Sequence, residues 1–446
     1  MPKETRADAT PSRAVTAWTQ GLLCVAIVAS GIIVGGLLHE PDPDLTTTPT
    51  SATHTTTVAE PPQPSFVTPP VTYPTRIPGC ATVEPPGEGG LTGFVVSGEF
   101  GYDNPAYPWF SGPKAVAMST ALHEALPDGV VIGFAPVGES LLFQPILGNP
   151  GDSAEFAKFG GSTDARATLR RGDLAGSLSV SVRKSTAPIP PCIAGELDER
   201  RLLPDGTTVD THDTWWQVDG VRTLSRTVRA YTPDGSVVVA SATDAPPGLD
   251  PTGIVPLSVD ELVGLVSAPG ARVTAPVPPG TPDPPEDCHI ATEDAAAIDE
   301  AESRRLDAVL ARIPLDGLTL DRPLGSLRPG VDGSGGVCQA VRVTAAGRRS
   351  RLSIAIGAGR TTPATESAGP SSGERVTARQ LPDGTVVESR ELRTTLAATS
   401  ELTRTVVVTR PSGSAVQVVS AAESPAEPLS VAQLEAIALT PGLEVS

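Results

Sequence analysis

The amino-acid sequence predicts an α+β protein with a single N-terminal transmembrane helix, a disordered Pro/Thr stalk, and two tandem related α+β domains with antiparallel sheets. Three observations predict it: one uncharged apolar stretch, a Pro/Thr-dominated segment after it, and two later segments that repeat the same motifs in the same order. Each repeated segment reads as helix, several strands, helix, which is typical of α+β domains. We expect the following boundaries: a cytoplasmic tail at 1–14, the helix at 15–38, the stalk at 39–77, a first domain at 78–272, a linker at 273–287 and a second domain at 288–446.

The membrane helix is predicted because Leu22–Leu38 carries no charged residue. Extended back to Val15, the segment reaches the roughly 20 residues that cross a bilayer. Basic residues precede it and acidic residues follow it, which places the N-terminus in the cytoplasm and the bulk of the chain outside the cell. Trp18 stands where an interfacial anchor would lie. We expect a single-pass protein of the cell membrane.

Two alternatives concern this helix. Val28, Ala29 and Ser30 could form a signal-peptide cleavage site, but apolar sequence continues beyond them, which favours a retained anchor. Gly31 and Gly35 form a G-x-x-x-G pair. Such a pair can pack two membrane helices into a weak dimer, or it can arise by chance because glycine is common in membrane helices.

Composition limits the partners and identifies the flexible segments. The formal net charge of −18 disfavours nucleic acid as a partner. Residues 39–77 are dominated by proline and threonine without periodicity, which is typical of an extended stalk. A second proline-rich stretch, from Val273 to Glu286, predicts a linker between two folded units.

The repeat begins with two turns of identical sequence, Leu203–Thr207 and Leu381–Thr385. Leu224, Arg226, Thr227 and Val228 then match Leu402, Arg404, Thr405 and Val406 at the same distance from the turn. Matches at many points in one order indicate a duplication. The segments after each turn alternate apolar and polar residues, which predicts antiparallel strands with one buried face. Ser258 with Glu261, and Ser430 with Gln433, predict capping boxes that begin a final helix in each copy.

Four cysteines follow the membrane segment: Cys80, Cys192, Cys288 and Cys338. An even number outside the cytoplasm predicts disulfides, and four cysteines allow three pairings. We favour Cys80–Cys192 and Cys288–Cys338, because the proline-rich linker separates the two pairs.

The chain resembles uncharacterised membrane-anchored proteins of high-GC actinobacteria. The resemblance is carried by the Leu-Pro-Asp-Gly-Thr turns, by Pro233–Ser236, and by the helix starts at Pro256 and Pro428. It covers both domains and implies a location in the cell envelope of such a bacterium, without implying an activity.

No set of residues predicts catalysis, a metal site or a cofactor. His123 and Glu124 begin an H-E-x-x-H pattern, but Pro127 replaces the second histidine. The glycine-rich stretch 330–336 lacks the lysine of a phosphate-binding loop. His212 lies between acidic residues on a predicted strand, which we interpret as a solvated strand face. Arg226 and Arg404 have the parity of inward-facing residues and predict a paired structural role rather than a ligand site.

Aromatic residues distinguish the first copy from the second. Tyr107 and Trp109 lie in an aromatic stretch, and Trp215–Trp216 stand where the second copy has Arg393 and Thr394. Adjacent strand residues point to opposite faces, so one tryptophan should leave the main core. One hypothesis is a binding platform for a glycan or peptide, formed by Tyr107, Trp109, Trp215 and Trp216. The other is that an insertion folds over the outward tryptophan.

These observations favour a non-enzymatic cell-envelope protein that displays two domains for ligand binding or scaffolding, with a cell-wall glycan or an envelope protein as the partner. The alternative is an extracytoplasmic sensor that acts through a cytoplasmic signalling partner. The tail of residues 1–14 is too short for a folded domain, which disfavours this alternative.

Overall fold

The computed structural model describes residues 65–87, 99–148, 161–288, 297–331, 335–345, 347–360, 374–396 and 399–445, all within one compact unit, Pro64–Ser446. The predicted membrane helix and most of the predicted stalk lie outside these residues. Among the helices that the structure describes, none combines the length and apolar character needed to cross a membrane.

The first half contains twelve strands and two α-helices in the described residues. In chain order they are β1 (Phe66–Val67), β2 (Val83–Glu84), β3 (Glu99–Gly101), α1 (Gly112–Ala125), β4 (Val130–Ile132), β5 (Ile146–Gly148), β6 (Ser162–Arg171), β7 (Leu174–Lys184), β8 (Cys192–Ile193), β9 (Glu199–Leu202), β10 (Thr208–Val218), β11 (Val221–Tyr231), β12 (Ser236–Thr243) and α2 (Val259–Ser267).

The second half continues with two helices and eight strands in the described residues. They are α3 (Glu300–Leu310), β13 (Thr319–Leu320), β14 (Arg328–Pro329), β15 (Val337–Ala345), β16 (Arg348–Gly357), β17 (Glu374–Gln380), β18 (Val386–Leu396), β19 (Thr399–Thr409), β20 (Ala415–Glu423) and α4 (Val431–Ala438). The predicted α+β class with antiparallel sheets is confirmed.

Two eight-stranded antiparallel sheets organise the described chain. The first has the order β1-β10-β11-β12-β7-β6-β4, with β9 also on β10. The second has the order β13-β15-β16-β20-β19-β18-β17, with β14 also on β15. The strands β10-β11-β12-β7-β6-β4 thus run in the same order as β18-β19-β20-β16-β15-β13. This agreement supports the duplication inferred from the sequence.

The repeated turns form as their residue types predict. The side chain of Asp205 accepts a hydrogen bond from Thr207 N at 3.0 Å, and Asp383 accepts one from Thr385 N at 3.0 Å. The intervening glycine adopts a positive φ in both turns, 82° in Gly206 and 87° in Gly384, which a residue with a side chain rarely accepts. Each turn therefore presents the following strand, β10 or β18, in the same register.

Helices cover one face of each sheet, and the hydrophobic core lies between that face and the helices. Val228 and Val238 are fully buried in the first core, and Val406 and Val418 in the second. Both final helices begin with the predicted capping box, in which Ser258 pairs with Glu261 and Ser430 with Gln433. The helices end at Ser267 and Ala438, before the Pro-Gly pairs that follow each of them.

The matching arginines bind the chain at the entry to each final helix. Arg226 Nε donates to Asp213 at 2.9 Å, and its guanidinium also donates to Leu257 O at 2.9 Å. Arg404 Nε donates to Glu391 at 2.8 Å and its guanidinium to Pro428 O at 3.0 Å. In both copies the side chain joins the sheet to the segment that leads into the helix, which is a structural role.

Both disulfides that we favoured are present. Cys80 is bonded to Cys192 and Cys288 to Cys338. The first joins the N-terminal segment to β8, which pairs with β2 in a small separate sheet, and Ile77 and Leu197 pack beside it. The second lies in a small buried cluster with Ala340 and Ala355.

The stalk boundary predicted at residue 77 is wrong for residues 65–77. Phe66 and Val67 pair with β10 as an edge strand, and Ile77 is buried. Strand pairing at one end and a buried apolar side chain at the other therefore hold this Pro/Thr-rich segment against the fold.

The proline-rich linker is also bound to the second sheet rather than merely solvated. Asp283 pairs with Arg342 at 2.7 Å, and Glu286 pairs with both Arg342 and Arg351 at 2.9 Å. At its start, the buried Lys114 donates to the carbonyls of Arg272 and Ala275. Burial lowers the pKa of Lys114 to about 8 against the opposing attraction of Asp234.

Candidate functional site

One stretch of the first sheet's edge lacks a neighbouring strand. β9 pairs with Thr208–Thr211 of β10, and β1 pairs with Gln217 and Val218. Between them, residues 212–216 pair with β11 on their inner side but have no strand on their outer side in the described chain. We call residues 212–216 the open edge. An exposed sheet edge offers backbone donors and acceptors to another chain, and proteins usually block it.

Residues 68–77, which we call the strap, run past the open edge without pairing to it. β1 fixes the strap at one end. At the other end it is fixed by the Cys80–Cys192 disulfide and by the hydrogen bond that Arg200 N donates to Pro78 O at 2.9 Å. A Cβ at Gly79 would lie 1.8 Å from Arg200 O, so only glycine permits this close approach. The strap is therefore held at both ends, and its middle lies across a cleft from the open edge.

The space between strap and open edge is a cleft of about 740 Å³, which is within the range of ligand-binding pockets. Its lining is mixed. One wall is formed by Phe66 of β1 and by the strap, including Val71; these two side chains are 68% and 48% exposed. The other wall contains all five residues of the open edge, including Trp215 and Trp216.

The two tryptophans reach the cleft from opposite faces of β10. Trp215 is opposite Leu224, on the helix-covered face, and Trp216 is opposite Thr223, on the other face. Both are half-buried, and both line the cleft because it wraps around an edge strand. The guanidinium carbon of Arg222 lies 3.9 Å from the centre of the Trp215 ring, a cation–π contact that covers one ring face.

Some of the polar groups at one end of the cleft already bond to other groups of the protein. Asp198 Oδ2 accepts a hydrogen bond from Asp213 N at 2.6 Å, and His212 Nδ1 lies 3.6 Å from the same oxygen. His212 Nδ1 is buried without a hydrogen-bond partner in the described chain. His212 is therefore only partly solvated, as a half-buried residue of the cleft wall with a buried Nδ1, whereas the strand pattern predicted a solvated face.

The second sheet covers part of the equivalent edge with its own chain. β17 pairs with Val386–Leu392 of β18 over seven residues, whereas β9 pairs with only four residues of β10. The positions that correspond to 212–214 are 390–392, and these pair with Val376, Arg375 and Glu374. Arg393 and Thr394 replace the two tryptophans and are exposed. Among the described residues, the second sheet therefore differs from the first in pairing the positions that match 212–214, and in lacking aromatic residues at the two positions beyond them.

The structure does not bring all four predicted binding residues into one site. Tyr107 and Trp109 are partly buried and pack against the first core, where Trp109 lies 5.3 Å from Phe110 between ring centres. Neither lines the cleft. The neighbouring Tyr102 donates to Phe143 O at 3.1 Å, and burial raises its pKa. This aromatic stretch has a packing role, and the tryptophan pair alone faces the cleft.

Sequence reasoning missed the strap as half of the site. Phe66, Val71 and Ile77 interrupt the Pro/Thr-rich segment at intervals and were the available signal. Their contacts with β10 and with the disulfide are long-range, and no local pattern encodes them.

Comparisons with known proteins assign no family to the chain. No family model matches it, and no curated protein matches it either. A solved structure of MucB in complex with MucA(peri) is 11% identical, covering 63% of this chain and 92% of that chain, with a TM-score of 0.13. A putative oleoyl thioesterase from Lactobacillus plantarum is 10% identical, covering 63% and 82% of the two chains, with a TM-score of 0.10. These scores are too low to support an argument about fold or function.

Proposed function

We propose that this protein is a non-enzymatic component of a bacterial cell envelope that binds a ligand in the cleft at the open edge. It is held in the cell membrane by residues 15–38, with the folded part outside the cell, and its partner is a cell-wall glycan or an envelope protein. Two disulfides support this location, because such bonds persist in oxidising compartments outside the cytoplasm.

The observation that carries the proposal is the placement of Trp215 and Trp216. Both belong to the open edge and line a cleft of ligand size, and the second copy has neither aromatic residue at the matching positions. Half-exposed tryptophans are frequent energetic centres of binding sites. A duplicated framework that differs at one edge fits a division between a binding copy and a structural copy.

The test is a binding screen on the full-length chain in detergent, with chitooligosaccharides and an array of envelope-protein peptides as probes. Trp215→Ala and Trp216→Ala should weaken binding at least about tenfold, because truncating an aromatic anchor costs about 2 kcal/mol. Arg393→Ala and Thr394→Ala, the matched changes in the second copy, should leave binding unchanged. Equal binding by all four variants would remove the cleft as the site, and hydrolysis of peptidoglycan or esters would contradict the non-enzymatic assignment.

A further inference from the structure

The backbone of the open edge has hydrogen-bonding groups that the described chain does not use. Thr211 O accepts from Asp198 N at 2.7 Å, and Asp219 N donates to Ser65 O at 3.1 Å. The backbone N–H and C=O groups of the odd-numbered residues of β10 therefore point away from β11, towards the outer side of the sheet. Alternation along an antiparallel strand then turns the N–H and C=O of Trp215 outward as well. No hydrogen bond among the described residues reaches these two groups or the C=O of Asp213.

The second sheet indicates what fits such an edge. There, β17 lies antiparallel to β18 across positions 390–392, which correspond to 212–214 in the first sheet. The same fold, at the same strand positions, thus accepts an extended segment of polypeptide. We propose that the cleft binds an extended peptide segment of a partner protein, which adds to β10 as a short strand between β9 and β1. This inference rests on the proposed function and names its ligand class.

The side chains around the open edge favour a peptide with apolar residues and at least one basic residue. Phe66, Val71 and the two tryptophans offer apolar contacts on both sides of a bound strand. Asp198 is 55% exposed at the end of the cleft, where a lysine or arginine of the ligand would pair with it. The net charge of −18 attracts basic segments over a longer range.

A glycan fits these observations less well. Sugar rings bind by stacking on aromatic faces, and Arg222 already covers one face of Trp215. Stacking also gives no role to the unpaired backbone groups of the open edge. Strand addition uses these groups for affinity and the flanking pockets for specificity.

The experiment uses the full-length chain in detergent as bait for a phage-displayed random heptapeptide library. The strongest selected peptide is then synthesised in two forms, with N-methyl groups on alternate amides in one form and on the intervening amides in the other. Strand addition predicts that one form loses affinity at least about tenfold while the other binds like the parent, because only every second amide faces β10. Trp215→Pro, which removes the outward N–H, should weaken the parent peptide, whereas Trp215→Phe should retain most of the binding.

Each other outcome contradicts the inference. Equal tolerance of the two methylation patterns would mean that the peptide binds through its side chains alone. Binding of chitooligosaccharides with Trp-dependent affinity, in the absence of any selected peptide, would overturn the peptide assignment and leave the proposed function intact. Failure of both peptides and glycans to bind would overturn the proposed function as well.

Discussion

In the first sheet, the outer edge of β10 is paired by four residues of β9 and two of β1, whereas in the second sheet β17 pairs continuously with seven residues of β18. The centres of the two sheets do not differ in this way. Arg226 and Arg404 make corresponding ion pairs and corresponding bonds to backbone carbonyls. The comparison separates residues that hold the framework, which match between the copies, from edge residues, which do not.

The difference has a physical basis. A residue inside the sheet is constrained by two neighbouring strands and a helix, so most changes there are destabilising. An edge residue has one strand neighbour, and its outward backbone groups remain available to solvent or to a ligand. A duplicated domain can therefore acquire a binding edge in one copy while both copies keep one core design.

The largest expected effect is the loss of stability when either disulfide is removed. Replacing both cysteines of either pair by serine should lower the free energy of unfolding by about 4–5 kcal/mol in the chain-entropy model, measured by urea denaturation. The sequence separations are 112 and 50 residues, which predicts slightly more for Cys80–Cys192.

Ligand binding should distinguish the two disulfide variants where stability does not. Loss of Cys80–Cys192 releases one end of the strap and should abolish binding in the cleft. Loss of Cys288–Cys338 should leave binding intact at temperatures where the protein stays folded. Equal loss of binding in both would indicate that the strap is not part of the site.

The next effect should be similar in the two copies, although Arg404 also pairs with the exposed Glu427 at 3.2 Å. Arg226→Met and Arg404→Met each remove charge-assisted hydrogen bonds to an acidic residue and to the chain before the final helix. We expect each change to lower the free energy of unfolding by about 2–3 kcal/mol. The exposed Arg229 on the same strand is the control, and Arg229→Met should change stability by less than about 0.5 kcal/mol. A large effect in only one copy would contradict equivalent roles.

A smaller effect depends on pH and occurs in the first copy only. Arg171, bound to both oxygens of Glu261 at 3.0 and 2.7 Å, holds the pKa of Glu261 at about 2, below its ordinary value of 4.5. Since the folded-state pKa is the lower one, this contribution is complete above pH 4.5 and is lost as the pH falls towards 2. The second copy has Gln433 at this position, which does not titrate.

Glu261→Gln converts the first helix start to the residue type of the second. Between pH 4.5 and 2, the wild type should lose about 1–2 kcal/mol more stability than the variant, once solvent screening is allowed for. Thermal unfolding at pH 7 and at pH 3 measures the difference. Parallel acid curves for wild type and variant would show that the Arg171 pair does not contribute.

The sequence predicted the parts of this structure that local patterns encode. The Pro-Asp-Gly turns, the capping boxes at Ser258 and Ser430, and the alternating strands depend on residues within a few positions of one another, and the structure contains them. The disulfide pairing followed from the position of the linker. The strap and the open edge could not be predicted, because both depend on where β9 ends and on which distant segment lies beside β10. For the same reason, the sequence grouped Tyr107 and Trp109 with Trp215 and Trp216, although the fold uses the first two for packing.

The smallest expected effect on stability concerns the tryptophans themselves. The double change Trp215→Arg and Trp216→Thr gives the first copy the residues of the second. Both side chains are half-buried at an edge strand, so we expect the free energy of unfolding to change by about 1 kcal/mol or less. Binding to the cleft should nevertheless be lost. The reciprocal change, Arg393→Trp with Thr394→Trp, should not create binding, because β17 already pairs with the adjacent residues 390–392, which match 212–214 of the open edge. Binding gained by the reciprocal variant would mean that the tryptophans alone suffice and that the open edge is unnecessary.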